Sequence, residues 1–133
     1  VLAIEDNVAN IRLLERVMDH CENSVLLTAI QGRLGLELAA QHDPDLILLD
    51  LHLPDIPGET VLQRLRRDPA TASITVVICS GDASPRQRRE CLDAGAAAYL
   101  TKPFDLNELL DIIERVRSGE PLVPFSEDSE TAP

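Results

Sequence analysis

Leu46-Ile47-Leu48-Leu49-Asp50 is an apolar run that ends abruptly in a carboxylate. Pro44 precedes it, and Pro54, Pro57 and Gly58 follow. Its length and boundaries are those of a strand buried on both faces, the kind found inside a parallel sheet. Asp50 then stands at the carboxyl end of that strand. Ligands bind at that edge in open α/β sheets, which makes Asp50 a site candidate. A cap for the following loop is the other reading, and this stretch alone leaves both open.

On either side the chain alternates between strand and helix patterns. Residues 1–4 read as an opening strand, followed by Glu5 and Asp6. A helical face of Ile11, Leu14, Val17, Met18 and Cys21 comes next, with Asn7 placed as its N-cap. Residues 24–29 predict a second strand, and Leu34, Leu38 and Ala39 a short helix that stops by Pro44. Beyond Asp50, the turn Pro54-Asp55-Ile56-Pro57-Gly58 leads into a helix with Val61, Leu62 and Leu65 on its inner face. Residues 74–79 form a fourth strand that delivers Ser80-Gly81-Asp82 to the same edge as Asp50. Ser84 as N-cap, Pro85 at the first helical position and Gly95 as the stop bound a fourth helix. A fifth strand, residues 97–101, runs into Lys102-Pro103, and the last helix opens on Asp105 and Glu108 as a capping box. Leu106, Leu109, Leu110, Ile113 and Val116 make its apolar stripe. Five strand–helix units with no hairpin signal call for an α/β fold, parallel strands joined by right-handed crossovers with helices on both faces.

A chain of 133 residues suits one domain. Its core is aliphatic, because 44% of the residues are apolar and only 2% aromatic. The net charge is -11, and the last sixteen residues carry four acids and no base, which leaves -7 on the rest. That balance argues against binding to nucleic acid or to an anionic membrane by charge attraction. Cys21, Cys79 and Cys91 lack CxxC spacing and read as reduced thiols of a cytosolic protein, not as a metal or disulfide framework. No window has the length of a membrane span, and the start does not resemble a signal peptide. Val1 opens in mid-strand without an initiator Met, so the expectation is a piece of a longer chain. Residues 1–117 are expected to form the domain, its first strand cut short, and residues 118–133 an acidic, proline-containing flexible tail.

If the sheet is parallel, Glu5, Asp6, Asp50, Ser80 and Lys102 lie along one edge. Two carboxylates about 4 Å apart repel by roughly 4 kcal/mol at an effective dielectric near 20, which calls for protonation or a cation. Mg²⁺ suits a shallow acidic pocket, since it takes a few carboxylate oxygens, keeps several waters and accepts a phosphate oxygen. One carboxylate can then attack phosphorus to give an acyl phosphate. Asp50, on a central strand, is the natural nucleophile, with Glu5 and Asp6 at the mouth holding the metal. Lys102, the Ser80 hydroxyl and nearby backbone N–H groups can hold the equatorial phosphoryl oxygens.

With these residues in place the chain resembles a response-regulator receiver domain. The acidic pair in IEDN, the segment LILLDLHLPDIPG, Ser80 after the fourth strand, and YLTKPF with Tyr99, Lys102 and Pro103 carry the resemblance from Val1 to about Arg117. It implies a flavodoxin-like sheet with strand order 2-1-3-4-5. It also implies Asp50 as phospho-acceptor, Mg²⁺ on Asp6, Asp50 and the backbone carbonyl of His52, and Glu5 acting through water. Ser80 and Lys102 would hold the phosphoryl group, with a cis peptide before Pro103. The implied switch draws Ser80 and then Tyr99 inward and alters the surface of the fourth helix, fifth strand and fifth helix for a partner. Glu5 stands where the family often has Asp, and Leu53 and Ile56 where it often has Met. His52, two residues past Asp50, reads as a solvent-facing loop residue or as a modulator of water attack, while His20 and His42 read as surface residues.

The implied partners are a histidine kinase or a histidine phosphotransfer protein, with neither nucleic acid nor membrane contacted by this domain and with pairing through the switch face as a family habit. No histidine of the chain has a phosphotransfer setting, so the donor lies elsewhere. EDNVANIRLL is similar to receivers fused to sensor kinases, which favours a hybrid histidine kinase or another multidomain regulator over a free-standing response regulator. The domain itself is then a signalling module rather than an enzyme. A haloacid-dehalogenase-like phosphohydrolase would need a second Asp where His52 stands. A nucleotide-binding flavodoxin-like protein would need a Gly- or hydroxyl-rich loop in place of EDNVAN. An interaction module that signals without phosphate is the remaining alternative, and the intact set of Glu5, Asp6, Asp50, Ser80 and Lys102 argues against it.

Overall fold

The computed structural model describes residues 1–21, 24–82 and 84–122. Among these residues five strands, β1 (Leu2–Ile4), β2 (Leu27–Ala29), β3 (Leu46–Asp50), β4 (Thr75–Ser80) and β5 (Ala98–Thr101), form one parallel sheet in the order β2-β1-β3-β4-β5. The helices of the described residues alternate with them: α1 (Val8–Met18), α2 (Gly32–His42), α3 (Gly58–Arg67), α4 (Pro85–Asp93) and α5 (Leu106–Ser118). This is the flavodoxin-like topology expected from the sequence.

The unbroken apolar run of β3 follows from burial on both sides. Ile47 and Leu49 point into one core cluster, beside Ala39 of α2, Val61, Leu62 and Leu65 of α3, and Cys91 of α4. Leu46 and Leu48 enter the other, with Leu14 and Val17 of α1 and Leu109, Ile112 and Ile113 of α5. Asn7 and Ser84 cap α1 and α4 through their side chains, and Asp105 accepts from the N–H groups of Asn107 and Glu108 at the start of α5. Burial pushes the free Cys91 thiol up to about 11 and Cys79 well above its ordinary value, so both are neutral. Cys21 is a free thiol as well. Among the described residues no helix is long and apolar enough to cross a membrane.

Some boundaries and faces differ from the sequence expectation. The second strand begins at Leu27, not at residue 24, because its only neighbour, β1, offers just three residues to pair with. Val25 is left 70% exposed. On α2 the expected inner residue Leu34 faces outward, and Gly32, Gly35 and Ala39 are buried instead. A Cβ on Gly35 would lie 2.4 Å from the Ile4 side chain, so this helix approaches the sheet more closely than leucines allow. On α5, Leu106 is exposed and Ile112 is buried in its place. Ser118, expected to open the tail, closes α5, and Leu122 still packs against the second core cluster. Most of the expected tail, residues 123–133, lies outside the described residues.

Arg66 carries a structural role that periodicity did not show. Its Nε and Nη2 donate to the Gly95 carbonyl at 3.1 and 2.8 Å, and Nη1 donates to Ala72 and Ile74 at 3.0 and 2.8 Å. One planar guanidinium thereby joins the end of α3, the loop entering β4 and the turn after α4. Arg66→Ala is expected to lower stability by about 2 kcal/mol in a urea melt. Arg66→Lys should recover little of it, because an ammonium cannot reach three carbonyls in that fork; full recovery by Lys would show that only charge matters.

Candidate functional site

The parallel register sets the site. Ile4 pairs with Leu49, Asp50 with Cys79, and Ser80 with Thr101, so the residues at the ends of β1, β3, β4 and β5 reach one edge together. Glu5, Asp6 and Asp50 each offer a carboxylate oxygen within 4.8 Å of the other two. Glu5 and Asp50 are buried and Asp6 is exposed, so the cluster opens to solvent on the Asp6 side. Such an all-oxygen set suits a hard divalent cation.

Lys102, one residue past β5, reaches back over the carboxylates. Its Nζ lies 2.9 Å from Glu5 Oε1 and 3.3 Å from Asp50 Oδ1. Its backbone N–H donates to Ser80 at 2.7 Å, and the peptide to Pro103 is cis, as the resemblance implies. Burial disfavours the ammonium, but the two carboxylates outweigh it and raise the Lys102 pKa above its ordinary value. Burial and the neighbouring Glu5 charge push Asp50 up to about 6, against the opposing pull of the His52 N–H and of Lys102. The His52 N–H donates to Asp50 Oδ1 at 3.2 Å, and the His52 side chain is exposed.

Ser80 is fully buried at the end of β4, and its Oγ accepts the Asp82 N–H at 3.1 Å. Tyr99 lies inside as well, at 2% exposure. Its hydroxyl donates to the Asp82 carbonyl at 2.6 Å, and the Arg88 guanidinium sits 5.9 Å from its ring centre. Glu5, Asp6, Asp50, Ser80 and Lys102 thus all stand at the carboxyl ends of the strands, with Tyr99 buried in β5.

Two residues acquire roles here that their sequence positions did not reveal. Glu5 Oε2 accepts the Asn7 N–H at 3.1 Å, and Oε1 accepts from Asn10 Nδ2 at 3.2 Å. Asn10 and Lys102 thus meet on Glu5 Oε1, while the Asn7 N–H holds Oε2. Asn10 sits one helical turn past the Asn7 cap, and the spacing EDNVAN was the signal available for finding it. The other is Asp55 in the β3–α3 loop, whose carboxylate accepts the N–H groups of Gly32 and Arg33 at 2.7 and 2.9 Å.

Residues 1–114 match the family model of the response regulator receiver domain. The chain belongs to that family. Among its relatives, RpaA of Synechocystis sp., a "DNA-binding dual master transcriptional regulator", is 49% identical over 82 residues, 62% of this chain and 34% of RpaA. Response regulator PleD of Caulobacter vibrioides is 39% identical over 105 residues, 79% of this chain and 23% of PleD. This receiver domain therefore spans about a third of RpaA and about a quarter of PleD. The solved Mn²⁺-bound form of response regulator Rcp1 superposes with a TM-score of 0.73 at 26% identity, covering 88% of this chain and 90% of that one. Receiver domains belong to two-component signalling and interact with histidine kinases and with downstream effector domains. The acidic cluster of this receiver could hold a metal ion.

Proposed function

We propose that this receiver domain accepts a phosphoryl group on Asp50 from a phosphohistidine donor, with Mg²⁺ at the acidic cluster. The observation that carries the reading is the convergence of three carboxylates within 4.8 Å beside the Lys102 ammonium. An Asp50 oxygen attacks phosphorus, the phosphorus–nitrogen bond to the donor imidazole breaks, and its electron pair returns to the ring. Asp6, Asp50 and the His52 carbonyl would hold the cation, with Glu5 acting through water. Held there, Mg²⁺ would offset carboxylate repulsion and the charge on the transferring phosphoryl oxygens. Membership of the family and the Mn²⁺-bound relative Rcp1 support an oxygen-ligated divalent ion here.

Lys102 leaves its Glu5 and Asp50 partners to meet a phosphoryl oxygen, and the Ser80 hydroxyl supplies a second donor. Once drawn toward the phosphoryl group, Ser80 releases Asp82, whose carbonyl anchors the Tyr99 hydroxyl. In this way chemistry at Asp50 reaches α4, β5 and α5, the face that meets a downstream partner. The setting we favour is a cytoplasmic multidomain regulator or hybrid kinase.

Incubation with acetyl phosphate and Mg²⁺, followed by intact mass measurement, tests the reading. One added phosphate that disappears with EDTA and in Asp50→Asn is expected. Absence of any Mg²⁺-dependent adduct, with no response to beryllofluoride, would replace this reading with an interaction module that works without phosphate.

A further inference from the structure

The β3–α3 loop, residues 51–57, borders the acidic cluster and contains His52. Each of its ends is fastened differently. At the α3 side the Gly58 N–H donates to the Leu51 carbonyl at 3.0 Å, closing the loop on itself. At its outer side the loop is fastened to a different element altogether, the first turn of α2.

That first turn needs a partner. The opening N–H groups of any helix have no acceptor within the helix. Gln31, the N-cap residue of α2, makes no side-chain capping bond. Asp55, more than twenty residues away in sequence, takes that place, one oxygen on the Gly32 N–H at 2.7 Å and the other on the Arg33 N–H at 2.9 Å. The next residue packs the same junction: a Cβ on Gly32 would lie 2.7 Å from Ile56 Cγ1 and 2.8 Å from Val61 Cγ2. Ile56 is buried in the core cluster that also holds Val61. Asp55 and Ile56 together lock the loop against α2 with one polar and one apolar contact. Asp55 and the exposed Asp6 also line one surface pocket with His52 and Leu51.

We propose that Asp55 is a positioning residue for the metal site, clamping the loop to α2 so that Asp50 and His52 keep the spacing a divalent cation needs. This rests on the proposed Mg²⁺ reading, which it deepens. Asp55 is not one of the three clustered carboxylates, and both of its oxygens are taken by N–H groups of α2. It acts through the loop, as outer partners that orient ligands do in other metal sites, where their loss costs about tenfold or more in affinity. The loop carries a carbonyl ligand, and a carbonyl cannot be re-aimed by rotating a side chain. Its direction is set by the backbone alone, which is why a remote clamp on the backbone matters here.

The test is the Mg²⁺ dissociation constant of the unphosphorylated protein, from calorimetry or from the Mg²⁺ dependence of Tm. Asp55→Ala is expected to weaken Mg²⁺ by about tenfold. Asp55→Asn keeps the shape but turns an NH₂ toward one of the two N–H groups, and should fall between it and wild type. Thr71→Val supplies a control of stability without the clamp: Thr71 Oγ1 donates to the Leu65 carbonyl at 2.7 Å beyond the far end of α3, and its loss should leave the Mg²⁺ constant unchanged. Faster exchange of the Gly32 and Arg33 amides in Asp55→Ala would accompany the weakened binding. Wild-type Mg²⁺ binding together with an unchanged constant in both Asp55 variants overturns the clamp alone. No Mg²⁺ binding by wild type overturns the metal reading and the clamp with it. Equal weakening in Thr71→Val assigns the effect to general destabilisation and also overturns the clamp.

Discussion

Asp50→Asn is expected to make the metal-free domain more stable at pH 7, while removing the carboxylate proposed to accept phosphate. Burial and the nearby Glu5 charge raise the Asp50 pKa to about 6, more than the His52 N–H and Lys102 lower it. A carboxyl whose pKa is higher in the folded chain than in the unfolded one favours the fold while protonated. The resulting penalty is absent below the unfolded value near 4, grows as pH rises through the interval up to about 6, and is complete above it. Two units of difference correspond to a ceiling of about 3 kcal/mol. Water entering beside the exposed Asp6 screens part of it, leaving a gain of about 1 to 2 kcal/mol for the asparagine variant. Lys102 loses a partner at 3.3 Å but keeps Glu5 at 2.9 Å, so the ammonium is not stranded.

Thermal melts in EDTA from pH 4 to pH 8 check this. At pH 7 the variant should melt several degrees above wild type, the difference closing toward pH 4. Mg²⁺ should then raise the wild-type Tm more than that of the variant. A gap that stays constant with pH would remove the electrostatic explanation, and a wild type more stable than Asp50→Asn at pH 7 would reverse it.

Gly58→Ala should act in the opposite direction and more broadly. A Cβ there would stand 2.5 Å from the Asp50 carbonyl oxygen and 2.6 Å from Leu51 Cα, both backbone atoms that cannot rotate away. Either the start of α3 lifts from β3 or the end of β3 moves. Overpacking of this kind costs about 1 to 3 kcal/mol. Movement of β3 also displaces Asp50 relative to Glu5 and Lys102, and misplacement by an ångström can slow a reaction by about a hundredfold. The variant is therefore expected to unfold at lower urea and to take phosphate from acetyl phosphate at least about tenfold more slowly than wild type. Gly81→Ala is the matched control, since a Cβ at Gly81 meets no atom within 4 Å. Wild-type stability and rate in Gly58→Ala would show that the junction can relax without cost.

Much of the receiver domain is legible in the sequence, because the signals that mark it are short in range. Alternation of apolar runs with helical stripes gave five strand–helix units. Asn7, Ser84 and Asp105 marked helix starts through bonds spanning a few residues, and Pro85 through its fixed φ. Strand ends at Asp50 and Ser80 then placed the acidic pair, the hydroxyl and Lys102 along one edge.

Local pattern failed where the deciding neighbour was distant. Leu34 had the spacing of an inner residue, yet α2 comes so close to Ile4 that only Gly35 fits there. The second strand was cut to three residues by the shortness of its partner, β1. Asp55 read as part of a turn, and no local pattern singled out Arg66; their hydrogen-bond partners lie in other segments of the fold. By itself the sequence determined the order of elements, the parallel sheet and the identity of the strand-end residues, since periodicity and turn chemistry are properties of neighbouring residues. Only the tertiary structure decided which helix face the sheet accepts, how Asn10 and Lys102 share Glu5, and what holds the loop beside Asp50, because those depend on distances between segments that the chain brings together only on folding.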